Sequence, residues 1–325
     1  MNNVEYDLGE SLTVYSRIRA VKNTNSWNMA PNAGYFTIDK DIALAKQKSL
    51  GLQGDVKDDV TLRYRAVPWG VRKWEEEKTL IGGSVGLDGE IGTDWSWNFN
   101  VGHTQSKKDT INPQGFMMKS ELVSAIGDGE FNPFETNLTE GSLAVVNRAA
   151  YEPYQVVDTD MTTYNLSFSG DLMEMSGGIA GIAIGVQQMD QNYKKIIDPQ
   201  SEAGNIFGVN EDKGAVGDRS QSAAFIEMAL PVVDSLELQL AARVDNYSDF
   251  GSSANPKLGF KYLPTNRLLI RGNVGTGFKA PTLAEIYKGT QIGNQNLVDT
   301  PVCGLDCQVR IDEVEIESNG NDDLK

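Results

Sequence analysis

Apolar and polar residues alternate one by one along much of this 325-residue chain. Leu236, Leu238, Leu240, Ala242 and Val244 fall on one face of an extended segment, and Glu237, Gln239, Arg243 and Asp245 on the other. Trp95, Trp97, Phe99 and Val101 alternate in the same way with Asp94, Ser96, Asn98 and Asn100. Leu12, Val14, Ile18 and Ala20 alternate with Thr13, Tyr15, Arg17 and Arg19. A period of two places successive side chains on opposite faces of a strand. Further runs near 77–87, 161–170, 177–190, 220–230, 254–262 and 266–276 bring the predicted wall strands to nine.

Two features separate this pattern from a water-soluble sandwich. The runs cover about 9–13 residues, whereas strands in soluble folds average about 5–6 and a tilted strand crossing a bilayer needs about 9–11. The connections also alternate in length. Segments 88–92, 171–176, 231–234 and 263–266 read as tight turns, while 104–160, 191–219 and everything after 276 are long. Membrane barrels have short turns at one end and long loops at the other. Val60, Leu62, Tyr64 and Ala66 alternate with Thr61, Arg63 and Arg65, but counting 58–66 as wall would reverse that parity. Residues 23–76 are therefore read as one large outer loop with its own strand and a bend at Pro68-Trp69-Gly70.

The predicted fold is an all-β membrane protein, a partial antiparallel transmembrane β-barrel of about nine or ten strands with long extracellular loops and short periplasmic turns. An open sheet leaves unpaired backbone groups, which lipid does not tolerate, so the chain is expected to be part of a larger barrel.

Net charge, with 29 Lys and Arg against 45 Asp and Glu, is −16. Nucleic-acid binding needs clustered basic residues, and none is expected here. The longest apolar stretch, Gly177 to Val186, is far short of the roughly 20 residues of a membrane-spanning helix. The start, Met1-Asn2-Asn3-Val4-Glu5-Tyr6, has neither the basic nor the apolar part of a signal peptide and is read as a truncated beginning. Cys303 and Cys307 lie close together with no histidine near, which disfavours zinc. A local disulfide in an oxidising compartment is the expected state, with two free thiols as the alternative.

Gly275, Thr276, Gly277, Phe278, Lys279, Ala280 and Pro281 lead into Thr282-Leu283-Ala284-Glu285-Ile286-Tyr287. This stretch resembles the G-T-G-F-[KR]-A-P-[ST] segment and following L-x-E-[LI]-Y element of TonB-dependent receptor barrels. Its glycines suit a turn out of the strand, Pro281 a stop to the ladder, and Thr282 a helix cap. Phe131-Asn132-Pro133-Phe134, Trp27-Asn28-Met29-Ala30-Pro31 and Asp94-Trp95-Ser96-Trp97 are similar to family segments in the same order. Gly320-Asn321-Asp322-Asp323-Leu324-Lys325 resembles the family's G-N-x-x-L-K-P-E, cut before its proline. The resemblance runs from Ser11 to Lys325 and makes residues 1–325 one barrel segment. It implies a parent barrel of about 22 strands, with signal peptide, TonB-contacting box, plug domain and last strands outside this sequence.

Candidate chemistry elsewhere is sparse. His103, placed at a strand end, has no partners arranged by sequence, so no catalysis is expected. Glu75-Glu76-Glu77 reads as a solvated charge run. Asp128, Glu130 and Glu135 around the F-N-P-F segment read as an acidic loop rather than a calcium site, because the EF-hand spacing is missing. Gly82-Gly83-Ser84-Val85-Gly86 is strand-like, its glycines relieving crowding. Trp95 and Trp97 suit an aromatic girdle better than ligand stacking.

By resemblance, the parent imports a scarce solute (siderophore, cobalamin, carbohydrate or peptide) across the outer membrane of a Gram-negative bacterium, using energy relayed by TonB. Outer-membrane lipid, the TonB complex through the plug, and the solute are the implied partners; no cofactor is implied. A passive porin or adhesin-like barrel without a plug is the alternative, and a secreted all-β binding module a more distant one.

Overall fold

The computed structural model describes residues 2–49, 53, 56–135, 137–298 and 310–321. Ten strands form one antiparallel sheet in which sequence neighbours pair. They are β1 (Asn2–Asp7), β2 (Leu12–Met29), β5 (Arg72–Ile91), β6 (Trp95–Gln114), β7 (Tyr154–Met175), β8 (Gly178–Ile197), β9 (Ala215–Val233), β10 (Leu236–Tyr247), β11 (Gly251–Thr265) and β12 (Leu268–Gly275). Two separate hairpins stand outside it, β3 (Ala33–Ile38) with β4 (Val60–Arg65) and β13 (Gln291–Val298) with β14 (Arg310–Ser318). Segment 58–66 thus belongs to a loop, as its parity required. The sheet is not closed: β1 and β12 are its edges. None of the described helices is long and apolar enough to cross a membrane.

The nine predicted strands are joined by a tenth. β1 pairs with β2 from Asn2↔Ile18 to Asp7↔Thr13. It is only six residues long, too short for a convincing pattern, and its backbone ladder rather than its side chains defines it. The predicted strand lengths also fall short. β5, β6 and β8 run 20 residues and β7 runs 22.

The register explains the difference. Phe99, Leu166, Val186, Ala224, Val244 and Ala254 lie side by side in one row across β6 to β11. They face outward, where Val85, Val186, Val244 and Val274 are each more than half exposed, 56%, 53%, 51% and 69%. So large an unburied apolar surface is a lipid contact. In the next outward row, towards the long loops, Val85, Val101 and Tyr164 are still apolar or aromatic on β5 to β7, but Gln188, Ser222, Asn246 and Ser252 are polar on β8 to β11. Beyond it stand His103, Thr162, Asp190 and Ser220. The alternating runs therefore mark the half of each strand that meets lipid. The other half continues beyond the lipid, where the regular alternation fades and the ladder persists without the pattern.

Turns at the lipid-proximal end are tight: 92–94, 176–177, 234–235 and 266–267. At the opposite end the connections are 30–71, 115–153 and 198–214, shorter than predicted because the strands are longer, together with a three-residue turn, Ser248–Phe250. Beside the tight turns two indoles lie against glycines of neighbouring strands. A Cβ on Gly89 would stand 2.3 Å from Trp97 Cε2, and one on Gly170 2.6 Å from Trp95 Cδ2. These glycines make room for outward tryptophans near the edge of the lipid band, the position of an aromatic girdle.

The three long connections are folded together. They carry α1 (Lys40–Ser49), α2 (Lys119–Gly127), α3 (Glu140–Ala149) and the single turn α4 (Pro199–Glu202). Phe36, Trp69, Met117, Leu122, Phe131 and Phe207 form their common core, each at most 6% exposed. Tyr64 packs edge-on against Phe36 and Phe131, and burial pushes its hydroxyl up to about 12. Thr139 caps α3 by accepting from Ser142 N at 3.1 Å. The predicted loops are thus a cap with a hydrophobic core of its own, lying over the outer end of the wall.

Candidate ligand-binding mouth and lumen wall

The wall's inner face is polar. Asn100, Asn165, Gln187, Ala223, Asp245 and Ser253 form one cross-strand row. Glu237, Arg243, Asp245, Lys257, Lys261 and Arg271 share this face by register. Several neutralise one another. Arg243 Nη2 lies 2.8 Å from Asp245 and donates to Gln187 Oε1 at 2.9 Å, Gln221 donates to Asp245 at 2.7 Å, and Lys261 lies 3.5 Å from Glu237. The face offers hydrogen bonds and mixed charge, and no single sign dominates.

Where the wall meets the cap and the β13–β14 hairpin there is a cavity of about 600 Å³. Trp74, Phe116 and Tyr154 supply its aromatic surface, and Arg72, Asp198, Asp212 and Glu211, the last paired with Lys213 at 2.8 Å, its charge. Trp74 stacks on Trp27 with ring centroids 6.1 Å apart and meets Phe116 edge-on at 5.3 Å. The charged groups are held. Arg72 Nε donates to the Ala30 carbonyl at 2.9 Å. Asp212 takes Lys195 at 2.7 Å and Gln291 at 2.9 Å. Asp198, fully buried, caps α4 by accepting from Gln200 N and Ser201 N, both at 3.0 Å. The Tyr151 hydroxyl is pushed up to about 12 by burial and by its bond to Asp198, so it stays a neutral donor. Such a cavity can hold a solute by stacking and hydrogen bonding.

The motif segment turns inward. Gly275 remains in the ladder opposite Lys257, and Thr276 N still donates to Pro256 O at 3.0 Å. Neither Gly275 nor Gly277 has positive φ, so the expected glycine turn is not how the chain leaves the strand. Nor does Pro281 stop the ladder, which has already ended. Phe278 packs on Phe250 at 5.2 Å and Tyr247 at 6.1 Å; Lys279 is exposed; Ala280 and Pro281 face the wall. Thr282 and Glu285 then form a capping box for α5 (Leu283–Tyr287), and two bonds from Thr282 hold the Glu285 carboxyl below the usual carboxylate range. Ile286 is buried, and the Tyr287 ring fills the space a side chain on Gly217 of β9 would take.

Arg219 holds this segment, and no sequence signal marked it. It lies in a stretch read as loop, without apolar alternation around it. In the structure it is 4% exposed on the inner face of β9. Its Nε lies 2.7 Å from Asp249 Oδ2 and its Nη1 2.8 Å from the Pro281 carbonyl, and the guanidinium sits over the rings of Phe250 and Tyr247.

Other candidates have structural partners. Glu77 pairs with Lys22, Glu76 with Lys108 and Glu75 with Lys73 across the outer part of the wall. His103, in the middle of β6 rather than at its end, lies 2.9 Å from Thr162 Oγ1. Asp128 takes Ser124, Glu130 takes Arg148 and Glu135 takes Ser142, so these carboxylates do not converge. Among the described residues no group of three or more His, Cys, Asp or Glu could hold a metal. Phe131 of the F-N-P-F segment is in the cap core while Phe134 is exposed. Cys303 and Cys307 lie outside the described residues.

Comparison with known proteins gives these features their context. The family model described as TonB dependent receptor-like, beta-barrel matches residues 3–325. A curated relative from Acinetobacter baumannii, the probable TonB-dependent siderophore receptor PirA, is 26% identical over 152 residues, covering 44% of this chain and 19% of that protein. The structure of the RagAB peptide importer in its closed-closed state superimposes with a TM-score of 0.53 at 10% identity, covering 99% of this chain and 36% of that one. The crystal structure of PirA from Acinetobacter baumannii gives a TM-score of 0.46 at 14% identity, covering 99% of this chain and 45% of that one. The chain therefore spans less than half the length of each of these proteins. From its matched residues, its ten-stranded sheet and its apolar outer band, the chain belongs to the TonB-dependent receptor family, as part of the receptor's β-barrel.

Proposed function

We propose that this chain is the barrel portion of an active importer in the outer membrane of a Gram-negative bacterium. The capped outer mouth captures a scarce solute, which passes along the polar inner wall using energy relayed by TonB to a plug domain. The observation that carries this reading is the 600 Å³ cavity between cap and wall, with aromatic rings and held charges at the outer end of a polar lumen face. The curated relative favours a siderophore as solute, over a cobalamin, carbohydrate or peptide. The chemistry is capture and passage, not catalysis. Open edges at β1 and β12 support a parent barrel with further strands, the expected total being about 22.

The test uses the full-length parent in cells given a labelled ferric siderophore. Surface binding is expected to persist when TonB is removed or the proton-motive force collapsed, while uptake stops. Uptake that continues under both treatments would mean a passive porin. Binding with no uptake in untreated cells would mean an adhesin-like barrel. Topology is checked separately: an epitope tag at Asp128 is expected to be reached on intact cells, and one at Asp171 only after permeabilisation.

A further inference from the structure

We infer that the space between the motif segment and the wall is a second solute site, distinct from the mouth cavity, and that it takes an uncharged amphipathic moiety, an aromatic or aliphatic surface bearing hydroxyl or amide groups. The space encloses about 580 Å³. Two adjacent cross-strand rows make its floor. Thr104, Met161, Gln191 and Arg219 are one row; Met189, Gln221 and Tyr247 belong to the next. Its roof is Ala280, Pro281 and Leu283 of the inward segment. Ser106, which borders this space, lies four residues along β6 from Thr110, which lines the mouth cavity. That places the space about 13 Å deeper along the same wall, at about 3.3 Å per residue.

The ligand class follows from what remains free. Met161, Met189, Tyr247, Pro281 and Leu283 give apolar, polarisable surface suited to rings and alkyl groups. Arg219, the cation of the floor, is already engaged by Asp249 and the Pro281 carbonyl. Asp160, at the margin, points outward in register with Thr162 and takes Asn192 at 2.9 Å. A charged ligand would lose its hydration here against a cation whose charge Asp249 already neutralises. The hydroxyls of Thr104, Ser106 and Thr159 border the space and match uncharged polar groups. The side chains of β9 from Ala215 to Ala223 alternate buried and exposed one by one, which shows that cap and inward segment cover the inner face while leaving the outer face open.

The site deepens the import reading and rests on it, but its test reads binding without uptake, so the two fail separately. Single thiols are placed in the full-length receptor, with Cys303→Ser and Cys307→Ser as background. Met189→Cys and Thr159→Cys report on the site, the latter a near-isosteric change that guards against misfolding of the former. Asn255→Cys, on the inner face of β11 outside the site, is the control. Labelling by monobromobimane, a small neutral reagent, is timed with phenyl β-glucoside, benzenesulfonate or phenyltrimethylammonium present. The glucoside is expected to slow labelling several-fold at both site thiols and not at the control, with the two ions without effect. Equal protection by all three compounds, protection by none, or equal protection at the control would each overturn the proposal.

Discussion

The guanidinium of Arg219 donates at 2.8 Å to the carbonyl of Pro281, a residue 62 positions further along the chain. The same group holds Asp249 of the short outer turn, so one buried cation ties β9, the β10–β11 connection and the motif segment together. The Arg219 and Asp249 side chains are 4% and 8% exposed. Arg219→Ala leaves a carboxylate buried without its partner and is expected to cost about 3–5 kcal/mol, whereas Arg219→Met with Asp249→Leu costs much less because no charge is stranded. Unfolding of the full-length receptor in detergent measures both. Proteolysis between Thr276 and Gly289 is expected to rise in the single variant first. Equal losses in the two variants would show that the ion pair does not hold the segment.

Leu238 and Gln239 are neighbours on opposite faces of β10. Leu238 stands in the lipid band opposite Leu230 and Phe260, and Gln239 points inward beside Glu237. Leu238→Arg is expected to cost about 2–4 kcal/mol and Gln239→Arg far less, because only the first places a charge in hydrocarbon. Reversible folding into lipid vesicles measures the difference, and similar costs would contradict the orientation of the sheet.

Phe131 is 1% exposed in the cap core, its ring 5.6 Å from Trp69 and 6.4 Å from Tyr64. Phe131→Ala is expected to remove about 3–5 kcal/mol from the cap. The loss is local, because the cap's core is separate from the wall's ladder. Hydrogen exchange should therefore quicken in α2 and α3 and stay slow in β5 to β8. Uniform quickening would mean that cap and wall unfold as one unit.

Cys303 and Cys307 are expected to be bridged in protein taken from outer membranes, since close thiols pair in the oxidising periplasm. So short a loop restricts the unfolded chain by only about 2 kcal/mol. Alkylation before and after reduction, read by mass spectrometry, checks the pairing. Two cysteines labelled without reductant would leave them as free thiols.

The wall was legible in the residues because lipid on one face and water on the other impose a period of two. Leu236 to Val244 shows that rule, and the parity of the turns placed 58–66 outside the sheet. The motif from Gly275 to Pro281 pointed to the family, and the register confirms which side chains share the inner face. What the residues alone did not disclose lies where that asymmetry of solvent ends. The outer halves of β5 to β8 lie beyond the lipid, so a ladder of backbone hydrogen bonds continues there with no regular apolar alternation to report it. β1 escaped notice because six residues are too few to show a pattern. The cap core required Phe36, Phe131 and Phe207, from three separate connections, to meet, and no local pattern encodes such a meeting. Arg219 was hidden most completely: an arginine among polar residues reads as surface, and only the inward course of the motif segment over β9 buries it against Asp249 and Pro281.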